Sequence, residues 1–415
     1  MKSKIVIIGG GASGILAALS AAELGVKVTL VEATDRVGKK LLSTGNGRCN
    51  ITNQNIDTTF YHGEDLMFIK NILDKVNLKE TLDFFYSLGL PIKALEEGRM
   101  YPMSLQASSV LDILRFSLEE KNVEVITNTK IKEISYSNSL FSIKSQDDTY
   151  FETDKIIIST GGKAFPASGS DGSGYHLAEQ FNHEIIHPLP ALVQLKLNYN
   201  NLKALSGIKF IGKVKILVQE ELARVEEGEI LFTDYGISGP PILQLSRIAS
   251  EALYYNKNVK LEICVMSYMT DVELKVFMEE RWYLFKDRSI QDSLIGVVNK
   301  KLIPILLKDA GITDIHQVAS SISYKLKANI LNLLKNWQFV VKDTNSFNNS
   351  QVTAGGIATR DIKAETLESK LQKGLYFCGE IMDVDGDCGG YNLQWAWSSG
   401  ILAGRSAAIE ALRDK

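Results

Sequence analysis

Residues 5–32 read IVIIGGGASGILAALSAAELGVKVTLVE, a strand, a glycine turn, a helix and a second strand ending in Glu32. Each part suits the holding of a dinucleotide. Gly9 allows a sharp turn from strand into helix, Gly11 lets the backbone approach a pyrophosphate, and Gly14 lets the helix pack close to the sheet. The pyrophosphate would face the free N–H groups and positive end of that helix. Glu32 stands where a carboxylate accepts both hydroxyls of an adenosine ribose. Lys2 and Lys4 ahead of an apolar run imitate a secretory signal, but Gly9, Gly10, Gly11 and Gly14 would break such a helix. An α/β turn without ligand is the other plain reading. The motif favours a dinucleotide without saying which one.

The chain has 415 residues, too many for one small core, so two domains are expected. Apolar residues at 45% and charged residues at 23% are ordinary for a soluble globular protein. A net charge of −3 gives no broad attraction for nucleic acid or an anionic membrane. Cys49, Cys264, Cys378 and Cys388 are scattered without a C-x-x-C and read as reduced thiols of a cytoplasmic protein. The five histidines show no metal-ligand spacing, so no metal is expected. No other apolar run approaches the length of a membrane span.

The polar, basic loop TDRVGKKLLSTGNGRCNITN (34–53) is long enough without periodicity to be functional. Helical patterns follow at 64–76 and 78–88, and Ser104 is placed to cap a helix running to about Lys121. Strands are expected at 123–127, 130–137, 140–145 and 150–160, the last apolar at Ile156–Ile158 and running into Gly161-Gly162. A buried parallel strand ending in glycines is where a doubly wound sheet places ligand contacts. Beyond His187-Pro188-Leu189-Pro190, β-type runs at 191–198, 208–219 and 229–233 precede a mostly helical stretch at 271–335 and a further strand at 337–343. The strand GLYFCGE (374–380), a glycine-rich loop and a helix from about Gln394 close the chain. The expected architecture is therefore α/β. A Rossmann-like domain with parallel sheet and β-meander comprises 1–190 plus 350–415, interrupted by an inserted domain at 191–349 with barrel-like and helical parts.

VIIGGGASG, STGNGRCNITN (43–53), LFTDYGISGP (231–240), VTAGGI (352–357) and YFCGEIMDVDGDCGGYNLQWAWSSG (376–400) together resemble the HI0933-like flavoproteins. These belong to the two-dinucleotide-binding-domain superfamily related to glutathione reductase, and the resemblance covers essentially the whole chain. It implies FAD, its ADP half held by Gly9, Gly11, Ala12, Ser13, Gly14 and Glu32. Gly45, Asn46, Gly47, Arg48, Cys49 and Asn50 match the family loop near the flavin, where Arg48 offers positive charge to the reduced ring. A surface ion pair is the plain alternative for Arg48. Thr160, Gly161 and Gly162 resemble a second glycine turn beside the cofactor. Gly379 and Glu380 match a pair that binds the ribityl and inner-phosphate region. Gly389, Gly390, Asn392 and Leu393 would lead into a helix whose N-terminus faces the flavin O2 edge. Asp387-Cys388 departs from the family pattern, which expects a less thiol-like loop.

The resemblance further implies an oxidoreductase with NADH or NADPH as transient reductant. Reduction of a carbon–carbon double bond conjugated to a carbonyl leads, in a small molecule of the 3-oxo-Δ4 steroid or bile-acid kind. Uridine of 23S rRNA, oxidation of amines and non-catalytic flavin binding are the alternatives. The proton donor is open among Tyr391, Cys49, Cys388 and water, and Tyr391 has a plain core-aromatic reading. The insertion should choose the substrate. Trp282, Tyr283, Phe285 and Trp337 could roof a flat apolar ligand, although aromatics more often form core. RNA would want a basic groove, and Lys203, Lys209, Lys213, Lys215 and Arg224 are diluted by Glu220, Glu221, Glu226, Glu227 and Glu229.

Overall fold

The structure is a computed structural model that describes residues 2–413. The chain divides into two compact units, Pro190–Ser350 and the segments on either side of it.

The first unit is built on parallel strands that are apolar on both faces, as strands covered by helices on each side must be. Strand Lys2–Ile8 lies between Val28–Val31 and Tyr150–Ile158, with Ile8 opposite Val31 on one side and Ile158 on the other. Leu375–Phe377 continues the parallel arrangement, Phe377 opposite Ile158. Strand Tyr150–Ile158 forks. Its apolar end pairs with Leu375–Phe377, while Tyr150–Thr153 pairs antiparallel with Leu140–Ser145, which in turn pairs with Ile131–Ser137 as a meander. The sheet order brings the C-terminal ends of Lys2–Ile8, Val28–Val31, Tyr150–Ile158 and Leu375–Phe377 to one edge.

Helix Ala12–Glu23 crosses helix Tyr391–Arg413 at close range. A Cβ at Gly400 would lie 2.4 Å from Ser13 O, and one at Gly404 would lie 2.2 Å from Ala17 O. The Gly400/Gly404 spacing thus serves helix packing. Two boundaries differ from the sequence pattern. The helix expected from Ser104 begins at Ala107, because Leu105 turns the backbone left-handed (φ 55°) and delays entry. The last helix begins at Tyr391 rather than Gln394, directly after the positive-φ pair Gly389 and Gly390.

The second unit holds a closed six-stranded barrel of Leu195–Asn198, Lys209–Val218, Glu221–Phe232, Gly236–Ser238, Val259–Cys264 and Trp337–Thr344. Val214, Ile216, Ile230, Phe232, Leu261 and Phe339 fill it. Strand Glu221–Phe232 begins eight residues before the apolar run at 229–233. Its first two-thirds pairs along Lys209–Val218 while facing water, so alternation there is between half-exposed and exposed residues. The helices Asp271–Leu284, Ile290–Leu294, Ile303–Asp309 and Tyr324–Asn336 have their own core around Met278, Leu306 and Ile330. Thr270 opens the first of them with a capping box to Glu273. No helix among the described residues is long and apolar enough to cross a membrane.

Candidate functional site

Four turns leave the common edge of the parallel strands. In the first, Gly9 (φ 105°) reverses the chain, and a Cβ at Gly14 would lie 1.9 Å from Gly9 O. Strand and helix can approach this closely only with glycine at both places. A methyl at Gly11 would meet nothing within 4 Å, so this backbone faces open space. Gly11 flanks the N-terminus of Ala12–Glu23, and no side chain caps it. Open backbone at an uncapped helix N-terminus is an anion site in the making. Ser13 is buried, its hydroxyl donating to Cys378 O.

Glu32 follows Val28–Val31 and is buried. Its Oε2 accepts from Gly10 N–H and its Oε1 from Thr34 N–H, each at 2.7 Å. The carboxylate is thus fixed beside the first turn, with acceptor capacity left on each oxygen. The hydroxyl of Ser159, at the end of Tyr150–Ile158, lies 2.9 Å from Ile8 O and 2.8 Å from Gly9 O, tying the second turn to the first. Thr160 Oγ1 is buried and has no hydrogen-bond partner. Gly161 (φ 75°) and Gly162 continue this turn.

After Leu375–Phe377, Gly379 N–H donates to Ser399 Oγ at 2.9 Å. Glu380 accepts from Thr353 N–H at 3.0 Å through Oε1 and from Lys40 Nζ at 2.7 Å through Oε2. Thr353 Oγ1 in turn accepts from Lys163 and Ala164 N–H at 2.8 and 2.9 Å, which fixes the chain after Gly162.

The 43–53 loop bends left-handed at Gly45, Asn46 and Cys49. Asn46, Gly47 and Arg48 are exposed. Arg48 packs its guanidinium 5.1 Å from the centre of the Tyr101 ring, so its charge is held without a carboxylate in that contact. Asn50 Oδ1 is buried and unpartnered. Asn53 Nδ2 donates to Gly389 O at 3.0 Å, and Thr52 Oγ1 to Gln394 Oε1 at 2.6 Å, so this loop is clamped onto the final turn. There Asn392 holds the turn closed, accepting from Gly386 N–H at 2.8 Å and donating to Gly386 O at 2.7 Å. Leu393 is half-buried on the helix behind it.

The three side chains considered as proton donors lie in different surroundings. Cys49 is wholly buried, which pushes its thiol up to about 12. Cys388 is half-buried in the turn, and burial raises its thiol as well. Tyr391 stacks on Phe60 with ring centres 4.4 Å apart, and burial, then the Asp387 charge, raises its phenol. Lys40, Ser159 and Thr353 were not singled out in the sequence as site residues, although Lys40 and Thr353 lie inside the quoted motifs. The His62–Asp387 pair, 2.9 Å apart at the same turn, left no sequence signal because its members are 325 residues apart.

The arrangement fits a dinucleotide. It has an open Gly11 backbone, an uncapped helix N-terminus, a fixed carboxylate and two orphaned polar atoms, Thr160 Oγ1 and Asn50 Oδ1. Comparison with known proteins agrees with this geometry. The HI0933-like protein Rossmann domain family matches residues 3–406. The chain is 40% identical over 408 residues to a 3-dehydro-bile acid delta(4,6)-reductase of Clostridium scindens, covering 98% of this chain and 99% of that one. It is 28% identical over 403 residues to a ribosomal RNA dihydrouridine synthase of Haemophilus influenzae, covering 96% of each. Among solved structures, 3-ketosteroid delta1-dehydrogenase from Sterolibacterium denitrificans shares the fold, with TM-score 0.51 and 12% identity over 99% of this chain and 100% of that one. The chain belongs to the HI0933-like family of FAD-dependent oxidoreductases.

Proposed function

We propose that the chain binds FAD along the four turns and uses NADH or NADPH to reduce a carbon–carbon double bond conjugated to a carbonyl in a small steroid- or bile-acid-like molecule. The observation that carries the substrate class is the end-to-end 40% identity to a 3-dehydro-bile acid delta(4,6)-reductase. When bound, FAD supplies two-electron hydride chemistry that no side chain offers.

The chain's own residues divide the remaining work. Gly9 makes the turn, its own N–H bonded to Val31 O at 2.8 Å; Gly11, Ala12, Ser13 and Gly14 present backbone N–H groups to the pyrophosphate, and Glu32 accepts from the adenosine ribose. Thr160, Gly161, Gly162, Gly379 and Glu380 line the inner phosphate and ribityl region. Gly45–Asn50 and the Gly389–Leu393 turn flank the ring, where the helix beginning at Tyr391 stabilises negative charge through its N-terminus. Residues 191–349 are proposed to supply the substrate-selective part. Trp282 and Trp337 do not form a common apolar roof, since one is buried in the helical core and the other in the barrel core. Tyr283 is exposed, and Phe285 packs against Arg281 and Arg288.

The 28% relative raises rRNA uridine as a second substrate. The barrel surface speaks against it. Lys209 pairs with Glu229, Lys213 with Glu227, Lys215 with Glu262 and Arg224 with Glu226, at 3.0, 3.5, 2.6 and 2.6 Å. Cations neutralised within and across strands do not form the basic groove that RNA needs.

The test begins with the absorption spectrum and released cofactor of the purified protein, expected to be FAD. Anaerobic NADH or NADPH should bleach it, and a 3-oxo-4-ene steroid should restore the oxidised spectrum. Persistent oxidised flavin under both nucleotides would overturn the reductase reading. Failure of the steroid, with loss of 23S dihydrouridine in a deletion strain, would transfer the function to RNA.

A further inference from the structure

The final glycine turn carries a histidine–carboxylate pair. His62 belongs to a two-residue strand, Tyr61–His62, that pairs antiparallel with Asp385–Gly386. Its Nε2 lies 2.9 Å from Asp387 Oδ1, and the Asp387 carboxylate is nearly inaccessible to water while the imidazole is about one-quarter exposed, 5% against 26%. The backbone of the turn is held by other means: Asp387 N–H donates to Phe60 O at 2.8 Å, and Asn392 bonds both Gly386 groups. Tyr391 leaves the same turn and stacks on Phe60, two residues before His62. The pair therefore adjoins the turn proposed to flank the flavin ring. His183 faces Ser369 and His176 faces Glu179, neither of them in this turn.

We infer that His62 is the catalytic acid of the proposed reduction and that Asp387 positions it. The inference rests on that reading. As the imidazolium, His62 directs Nε2–H to Asp387 and keeps Nδ1–H for the substrate. The reduction needs a hydride, with its electron pair, at the β-carbon, which FAD would supply when bound and reduced, and a proton at the α-carbon. The Nδ1–H bond breaks as a new C–H bond forms at the α-carbon, and the resulting neutral imidazole takes its next proton from water at its exposed face. An imidazole held by a carboxylate and open to water on one side suits this transfer better than the burial-raised phenol of Tyr391 or thiol of Cys388. Asp387 faces the imidazole, Asp385 stands opposite His62 in the strand register, and Glu64 of its own segment pairs with Arg360 at 3.6 Å. Arg99 and Glu97 act on the same turn through Tyr391 and Cys388.

The test uses the FAD-loaded full chain with His62→Gln and Asp387→Asn. Both variants should keep wild-type flavin content and wild-type anaerobic bleaching by the nicotinamide. Reoxidation by the 3-oxo-4-ene steroid should slow by about 10²-fold or more in His62→Gln. Added imidazole should restore part of the lost rate to His62→Gln. Asp387→Asn should slow reoxidation less than His62→Gln, and should change the His62 imidazole NMR signals as the ring loses its carboxylate partner. A His62→Gln protein with the wild-type rate would overturn the assignment while leaving the reductase intact. A wild-type protein that reduces no enone would overturn both.

Discussion

Lys40 Nζ lies 2.7 Å from Glu380 Oε2, joining the loop after Val28–Val31 to the Gly379-Glu380 turn across 340 residues of sequence. Through its other oxygen Glu380 receives Thr353 N–H, and Thr353 holds the chain after Gly162. One carboxylate thus fixes three of the segments proposed to hold FAD.

Glu380→Gln and Glu380→Ala should separate the two parts of this arrangement. Gln keeps an acceptor for Thr353 and loses only the partly exposed ion pair, a cost of about 1 kcal/mol or less. Ala also leaves the Thr353 N–H unpartnered and should cost about 1–3 kcal/mol. Urea midpoints of the two proteins check the order, and flavin retained after gel filtration should fall further in Glu380→Ala.

Glu32→Ala should lose FAD and stability together. The carboxylate is the acceptor for Gly10 and Thr34 N–H as well as the proposed ribose contact. Removing it leaves two backbone donors without their partner, at about 1–3 kcal/mol each where water cannot replace it. A Tm lowered in the flavin-free protein, with FAD affinity reduced at least tenfold by titration, is the expected pair of results. Full flavin occupancy would show that the ribose contact lies elsewhere.

What the sequence made legible was local. Ile5–Ile8 followed by Gly9, and Ile156–Ile158 followed by Gly161, are patterns that a buried parallel strand and its turn impose within a dozen residues. The fork in Tyr150–Ile158 was partly visible because Leu140–Ser145 alternates as a one-sided strand does. The illegible parts depend on distant partners. Lys40, Thr353 and the His62–Asp387 pair are ordinary residues until folding brings them together. Glu221–Phe232 was read short because the outer face of a small barrel is charged, which hides strand periodicity. Leu105 shows how one left-handed residue overrides a plausible cap at Ser104.

Gly404→Ala should destabilise the first unit without touching the proposed chemistry. Its Cβ would sit 2.2 Å from Ala17 O, a backbone atom of a packed helix that cannot swing aside. Overpacking of this kind costs about 1–3 kcal/mol. The urea midpoint should fall accordingly, and because the same helix pair carries Ser13 and Ser399 toward the glycine turns, flavin should dissociate faster at elevated temperature.

Alkaline pH should weaken the fold through Cys49 and Cys378. Burial pushes both thiols up to about 12, against about 8.5 in the unfolded chain. A folded value above the unfolded one gives stability that is complete below about pH 8.5 and is lost as pH rises toward 12. Each thiol should contribute a decline of about 1.4 kcal/mol per pH unit across that window. Unfolding at pH 8 and pH 10 measures it, and Cys49→Ala or Cys378→Ala should flatten the slope by its own share, separating the thiols from the buried tyrosines that titrate in the same direction. In the native state a thiol reagent at pH 8 should modify half-buried Cys388 before Cys49 or Cys378. Rapid modification of Cys49 instead would mean that the 43–53 loop opens from the helix it is clamped to.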